Sequence, residues 1–85
     1  MRTIIRDELF EADAKSIVES GNEKVEEFLE AVEMVLSRKP ECGYPLSNSH
    51  VWFIAGHTVS LVLYYTFDDN NVYLLSMQKT EILET

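Results

Sequence analysis

The sequence predicts an α+β domain with the element order β-α-α-β-β-β, in which an N-terminal helical hairpin packs on a small antiparallel sheet. Three observations predict this class. Apolar residues recur at helical spacing in the first half of the chain, three strand-like runs follow, and turn-forming residues separate those runs. The 85 residues are enough for one domain, residues 1–85, with a small core.

The first 22 residues predict a strand followed by a helix. Residues 2–6 (RTIIR) are typical of a short strand because they contain two adjacent β-branched isoleucines. Asp7 is a suitable N-cap, and apolar residues then recur at helical spacing up to Ser20. Gly21 suits the C-terminal end of this helix, and Asn22 can cap the next one. So short a link predicts an antiparallel helical hairpin.

The second helix, about residues 23–38, has the clearest amphipathic pattern in the chain. Its apolar stripe consists of Val25, Phe28, Leu29, Val32, Val35 and Leu36. The opposite face carries Glu23, Glu26, Glu27, Glu30 and Glu33, which we interpret as a solvated surface. Arg38 and Lys39 suit the negative end of the helix dipole, and Pro40 ends the helix.

The second half of the chain predicts three strands after a connecting loop, residues 41–49. The strand-like runs are Val51–Ala55, Val59–Phe67 and Val72–Met77. Gly56 and His57 form the first turn, and the DDNN sequence at 68–71 is a strong hairpin signal. The odd positions of the middle run are all apolar and the even ones are mixed, so we expect one core face and one partly exposed face.

Charge separates the two halves of the chain and limits the classes of partner. The net charge is −8, and no charged residue lies between Glu41 and Asp68. Because nucleic-acid binding depends on Lys and Arg neutralising phosphates, this charge counts against RNA or DNA as a partner. The single cysteine, Cys42, excludes an intramolecular disulfide. The N-terminus lacks a signal-peptide pattern, no run is long enough to span a membrane, and we expect a cytoplasmic location.

Two segments resemble the RelE/ParE-like toxin superfamily of bacterial toxin–antitoxin modules. The end of the second helix, SRKPECGYPL, is similar to the family's Pro-ended helix followed by a Gly-containing loop. The stretch VWFIAGHTVSLVLYYTFDDNNVYLLSMQK is similar to its strand–turn–strand–acidic turn–strand unit. The resemblance covers nearly the whole chain and implies the family's fold, a toxin component held by an antitoxin protein, and a link to plasmid stabilisation.

The charged signature of RelE-type members does not carry over to this sequence. Those members cleave mRNA on the ribosome, which requires cations near the developing phosphorane and groups that move protons. The resemblance places the basic positions of the strand after the loop near Trp52 and Ile54, and the central-strand arginine on Val59 or Ser60. The last-strand arginine falls near Thr80, beside Lys79.

Lys79, His50 and His57 are therefore the weak catalytic candidates. The two histidines flank one predicted strand, seven residues and roughly 20 Å apart, so they do not share a metal ion. Cys42 lacks a neighbouring base other than His50. Asp68 and Asp69 suit a turn better than a pair of catalytic carboxylates. We predict no metal site and no cofactor.

Aromatic residues are the remaining candidates for a binding site. Trp52, Tyr64 and Tyr73 are the predicted partner-binding residues, because rings on the sheet face without helices favour a protein partner or self-association. We place Trp52, Ile54 and Ser60 on that uncovered face.

Three functions stay open at this point. The first is a toxin component or noncatalytic relative that acts by protein binding, as ParE-like members do on DNA gyrase. The second is an mRNA interferase with relocated catalytic residues. The third is a non-toxic binding module or homodimer on the same fold.

Overall fold

The computed structural model describes residues 1–19, 24–56 and 59–80 and shows two helices packed on a five-stranded mixed sheet. The strands are β1 (Thr3–Arg6), β2 (Tyr44–Pro45), β3 (Trp52–Ala55), β4 (Leu61–Phe67) and β5 (Asn71–Lys79). The helices are α1 (Glu8–Glu19) and α2 (Lys24–Arg38), and a 3-10 turn covers Pro40–Cys42. The α+β class and the predicted order of helices and long strands are confirmed.

The strand order is β1-β5-β4-β3-β2, with parallel pairing at the β1 end and antiparallel pairing at the β2 end. Strands β3 to β5 form the predicted antiparallel meander, and β2 adds a further antiparallel strand at its edge. The first strand instead lies parallel to β5, with Thr3 opposite Asn71 and Arg6 opposite Leu74. The prediction of a wholly antiparallel sheet is therefore corrected. Both helices lie between β1 and the meander in the chain, and a crossover of this kind allows a parallel edge strand.

The predicted loop 41–49 contains one strand that the sequence analysis missed. Tyr44 and Pro45 form the two-residue strand β2, which pairs with Phe53 and Trp52 of β3. A strand this short has no periodic pattern to recognise. A proline is tolerated there because β2 is an edge strand. The 3-10 turn before it begins at Pro40, separated from the end of α2 by Lys39 alone.

The core lies between the helices and one face of the sheet. The odd positions of β4 point into it as predicted, and Leu61, Leu63 and Tyr65 are all buried. From β5 the buried residues are Val72, Leu74 and Met77. Their spacing changes from two to three because the register shifts opposite Tyr64 and Tyr65, which leaves one extra residue in β5. The helices contribute Phe10, Ala14, Ile17, Val25, Leu29, Val32 and Leu36.

The helices meet the sheet through both apolar and polar contacts. Helix α1 begins directly after Asp7, whose backbone N–H donates to the carbonyl of Leu74. Farther along α1, a carboxylate oxygen of Asp13 accepts the backbone N–H of Met77 at 3.2 Å. This N–H lies on β5 beyond the stretch that pairs with β1. Asp13 therefore covers part of the β5 edge that β1 leaves open.

Two predicted features lie outside the described residues. These are the helical link at residues 20–22 and the side chain of His57 in the first turn. Among the residues that the structure describes, no helix is long and apolar enough to cross a membrane.

Candidate interaction surface

The sheet has one face that the helices do not cover, which we call the open face. Because paired residues of neighbouring strands point to the same side, strand register defines its members. They are Thr3, Ile5, Tyr44, Phe53, Ala55, Val62, Tyr64, Thr66, Asn71, Tyr73, Ser76 and Gln78. Tyr64 lies near its middle, between Phe53 of β3 and Ser76 of β5.

None of these strand positions carries a charge, although the chain as a whole is strongly acidic. The side chains are aromatic, aliphatic, hydroxyl or amide groups. Tyr44 and Phe53 contact each other with ring centroids 5.7 Å apart, and the Tyr44 side chain is 65% exposed. At the β1 side, a hollow of about 380 Å³ is lined by Ile5, Thr66, Tyr73 and Leu75 and by the charged residues Arg6, Asp7 and Glu8. The open-face strand positions can thus bury apolar and hydroxyl groups and carry no cation themselves. Arg6, which lines the hollow beside them, is paired with Glu33.

The hydroxyl of Tyr73 is held by the DDNN turn at one end of the open face. It donates to a carboxylate oxygen of Asp68 at 3.0 Å and accepts from the amide of Asn71 at 3.2 Å. Asp68 also accepts the backbone N–H groups of Asn70 and Asn71, and these hydrogen bonds lower the pKa of its carboxyl. Both oxygens of Asp68 therefore stabilise the turn, which confirms the predicted structural use of this residue.

Trp52 and Ile54 do not lie on the open face, and this corrects the predicted placement. Trp52 is opposite Tyr65, and Ile54 is opposite Leu63, so both point towards the helices. The Trp52 ring packs edge-on against Phe67, with centroids 5.3 Å apart, and the residue is only half-buried. Of the three predicted partner-binding residues, Tyr64 and Tyr73 share the open face and Trp52 lies on the other side. Ser60 is exposed at the start of β4.

The two weak catalytic candidates that the structure describes, Lys79 and His50, do not come together. Lys79 is exposed opposite Leu61, at the start of β4. The backbone carbonyl of His50 accepts the hydroxyl of Thr66 at 2.8 Å, near the other end of β4. Thr66 lies five positions after Leu61 in β4, a distance of about 17 Å along the strand. His57 lies outside the described residues.

Cys42 is half-buried, and its burial raises the pKa of its thiol, which disfavours the nucleophilic thiolate. Within residues 1–19, 24–56 and 59–80, no group of three or more His, Cys, Asp or Glu side chains is placed to hold a metal ion.

A second surface, the β3 groove, lies on the helix side between α2 and the free edge of β3. It has a volume of about 440 Å³. Its lining is uncharged and consists of Phe28, Ala31, Val32, Val35, Cys42, Tyr44, Ile54, Ala55 and Gly56. Tyr44 and Ala55 also belong to the open face, because they lie at the sheet edge that borders both surfaces. Val35 belongs to the apolar stripe of α2 but is 45% exposed, because it faces this groove and not the core.

The hollow between the helices has a mostly charged lining that includes Arg6. Arg6 donates to a carboxylate oxygen of Glu33 at 2.7 Å and lies 3.9 Å from Glu11. Glu33 is thus partnered, whereas Glu26, Glu27 and Glu30 are exposed. The predicted solvated face of α2 is accurate for these three glutamates.

The architecture defines the class of protein as a small two-layer α+β domain with a helical pair on one face of its sheet. More specifically, the chain has the RelE/ParE-like fold. The isolated E. coli RelE toxin is similar with a TM-score of 0.76 at 20% identity, over 99% of this chain and 89% of that chain. A chain of the chromosomal ParDE TA system from P. aeruginosa has a TM-score of 0.74 at 18% identity, over 95% of this chain and 98% of that one.

A third similar structure is the solution structure of the conserved hypothetical protein HP0892 from Helicobacter pylori. It has a TM-score of 0.66 at 17% identity, over 93% of this chain and 94% of that one. No protein-family model matches the sequence, and no curated protein matches it either.

Proposed function

We propose that this protein is a toxin-type component of a toxin–antitoxin module, or a noncatalytic relative of one, and that it acts by binding a protein. The observation that carries the proposal is the uncharged open face, with Tyr64 and Tyr73 among its residues. An antitoxin protein is the first partner, with a segment that lies across the sheet and the helices through largely apolar contacts. The similarity to the RelE toxin and to the ParDE system supports this class of role.

The chemistry of RNA cleavage argues against catalysis on the same face. Loss of one preorganised electrostatic contact to a transition state typically lowers the rate by about 10²–10³-fold. The open-face strand positions carry no cation, and Arg6 beside them is paired with Glu33. Lys79 and His50 lie at opposite ends of β4. The net charge of −8 also opposes docking on ribosomal RNA.

Regulated expression in a bacterial host tests the proposal. We expect unrestrained expression to slow growth and Tyr64→Lys to relieve the effect, because a charge at the middle of the open face opposes burial of this surface. Met34→Lys is the matched control, since Met34 is a 60% exposed apolar residue on α2, away from the sheet. Relief by both variants, or by neither, would contradict a role of the open face.

The same cultures separate the two other functions. New translation-dependent 5′ ends in the transcripts would indicate an mRNA interferase. Harmless expression would favour a non-toxic binding module or a homodimer. Light scattering at high protein concentration then distinguishes those two, since a homodimer has twice the monomer mass.

A further inference from the structure

The last residues of β3 extend beyond the end of its neighbouring strand β2. β2 pairs with β3 only at Trp52 and Phe53. The chain before β2 forms the 3-10 turn Pro40–Cys42, and Gly43 lies close to β3, since a side chain there would come within 2.5 Å of the carbonyl oxygen of Phe53. Within the described part of the chain, Ile54 and Ala55 therefore pair with a strand on the β4 side alone.

The hydrogen-bond pattern shows which way the backbone of Ala55 points. Gly56 donates its N–H to Leu61 on the β4 side, whereas the carbonyl of Val51 accepts from Leu46 on the β2 side. Because successive residues of a strand alternate in direction, the N–H and C=O of Ala55 point away from β4. Ala55 is also exposed. This residue presents a donor and an acceptor at the rim of the β3 groove.

We infer that the β3 groove binds an extended segment of a partner protein, which adds a strand beside Ala55 and carries Lys or Arg between its apolar residues. Alternate side chains of an added strand point to one face, so one set enters the groove against Phe28, Ala31 and Val35. The other set stays outside. The segment would belong to the protein partner of the proposed function, on which this inference rests.

The negative charge of the chain favours basic residues among the partner's side chains that stay outside the groove. The groove lining is uncharged, so it selects for apolar contacts and not for ion pairs. The chain as a whole has 15 acidic and 7 basic residues. Next to the groove, Glu27 lies exposed one turn before Ala31, and both Glu41 and the basic Lys39 lie near Cys42. A field of this sign accelerates the approach of a cationic segment and repels an anionic one. Basic side chains outside the groove complement this field.

Two capped hexapeptides test the inference with the full chain. One alternates lysine and valine, and the other has glutamate in place of lysine. We expect the lysine peptide to shift the backbone NMR signals of residues 54–56 and to slow hydrogen exchange at the Ala55 N–H. Its affinity should exceed that of the glutamate peptide by at least tenfold at 0.15 M salt, and the shifts should stay at residues 54–56 at 0.5 M salt.

Matched variants separate groove binding from general attraction to an acidic protein. Ala31→Arg fills the groove, and we expect at least a tenfold loss of affinity for the lysine peptide. Ala12→Arg places the same exposed helical substitution on α1, and we expect less than a twofold change. Ala55→Pro removes one donor at an edge position that tolerates proline, with an expected loss of about three- to tenfold.

Shifts spread over the glutamates of α2, or confined to the open face, would overturn the inference. So would equal binding of the two peptides or an unaffected Ala31→Arg variant. The growth assay reports on the proposed function independently. Groove binding in a protein whose expression is harmless contradicts the toxin role alone, and toxicity with no groove binding contradicts this inference alone.

Discussion

Replacement of Tyr65 by phenylalanine tests how the sheet is joined to the turn after α2. The Tyr65 side chain is fully buried, and its hydroxyl donates to the carbonyl oxygen of Pro40 at 2.6 Å. Tyr65→Phe keeps the ring but leaves this carbonyl without its donor. A buried polar group that loses its partner costs about 1–3 kcal/mol, so we expect the free energy of unfolding at pH 7 to fall by that amount.

The pH dependence of stability gives a second measure of the same group. Burial disfavours the charged phenolate and raises the pKa of Tyr65 to about 12, from 10.0 for an ordinary tyrosine. A group whose pKa is raised on folding stabilises the fold fully below the unfolded pKa, and this contribution disappears as pH rises through the folded pKa. The wild type should therefore lose about 2 kcal/mol more than Tyr65→Phe between pH 9.5 and pH 12.

Urea unfolding followed by circular dichroism measures both quantities. Tyr64→Phe is the matched control, because Tyr64 is the half-buried neighbour on the opposite face of β4. We expect this control to change the free energy of unfolding by less than about 0.5 kcal/mol. The reasoning fails if Tyr65→Phe is as stable as the control at pH 7 and its stability follows the wild-type curve at alkaline pH.

Three further substitutions probe the turns and the ion pair. Gly43→Ala should lower the free energy of unfolding by about 1–3 kcal/mol in urea titrations. The reason is that the new Cβ would lie 2.5 Å from the carbonyl oxygen of Phe53. Unchanged stability would contradict this steric crowding. Asp68→Asn should reduce the fall in melting temperature that the wild type shows as the pH is lowered. The lowered pKa of Asp68 stabilises the fold above the ordinary carboxyl pKa of 3.8, and this contribution disappears as pH falls through the folded value; an equal fall in the two proteins would argue against it. Arg6→Gln breaks the partly exposed ion pair with Glu33 and should lower the free energy of unfolding by less than about 1 kcal/mol in the same titrations. The loss should be smaller in high salt. A larger loss would contradict the assignment of Arg6 to a surface ion pair alone.

Elements with strong local patterns were predictable from the sequence. The apolar stripe of α2 and the alternation in β4 both result from burial of one side, so their periods appear directly in the residues. The DDNN turn was predictable because Asp68 satisfies two backbone donors in a way that short polar residues favour.

Features that depend on distant contacts were not predictable in this way. All four residues of β3 are apolar, so the local sequence does not show which of them face the helices, and Trp52 was placed on the wrong face. The parallel pairing of β1 depends on a strand about 70 residues later. The free edge at Ala55 results from the early end of β2, a strand too short to recognise.

Transcript 5′-end mapping tests the central claim that this protein acts by binding and not by RNA cleavage. The measurement compares cells whose growth is slowed by unrestrained expression with cells before induction. The account predicts the same set of 5′ ends in both, because the open-face strand positions carry no cation and the nearby Arg6 is paired with Glu33. New ends within translated codons that depend on ongoing translation would contradict it.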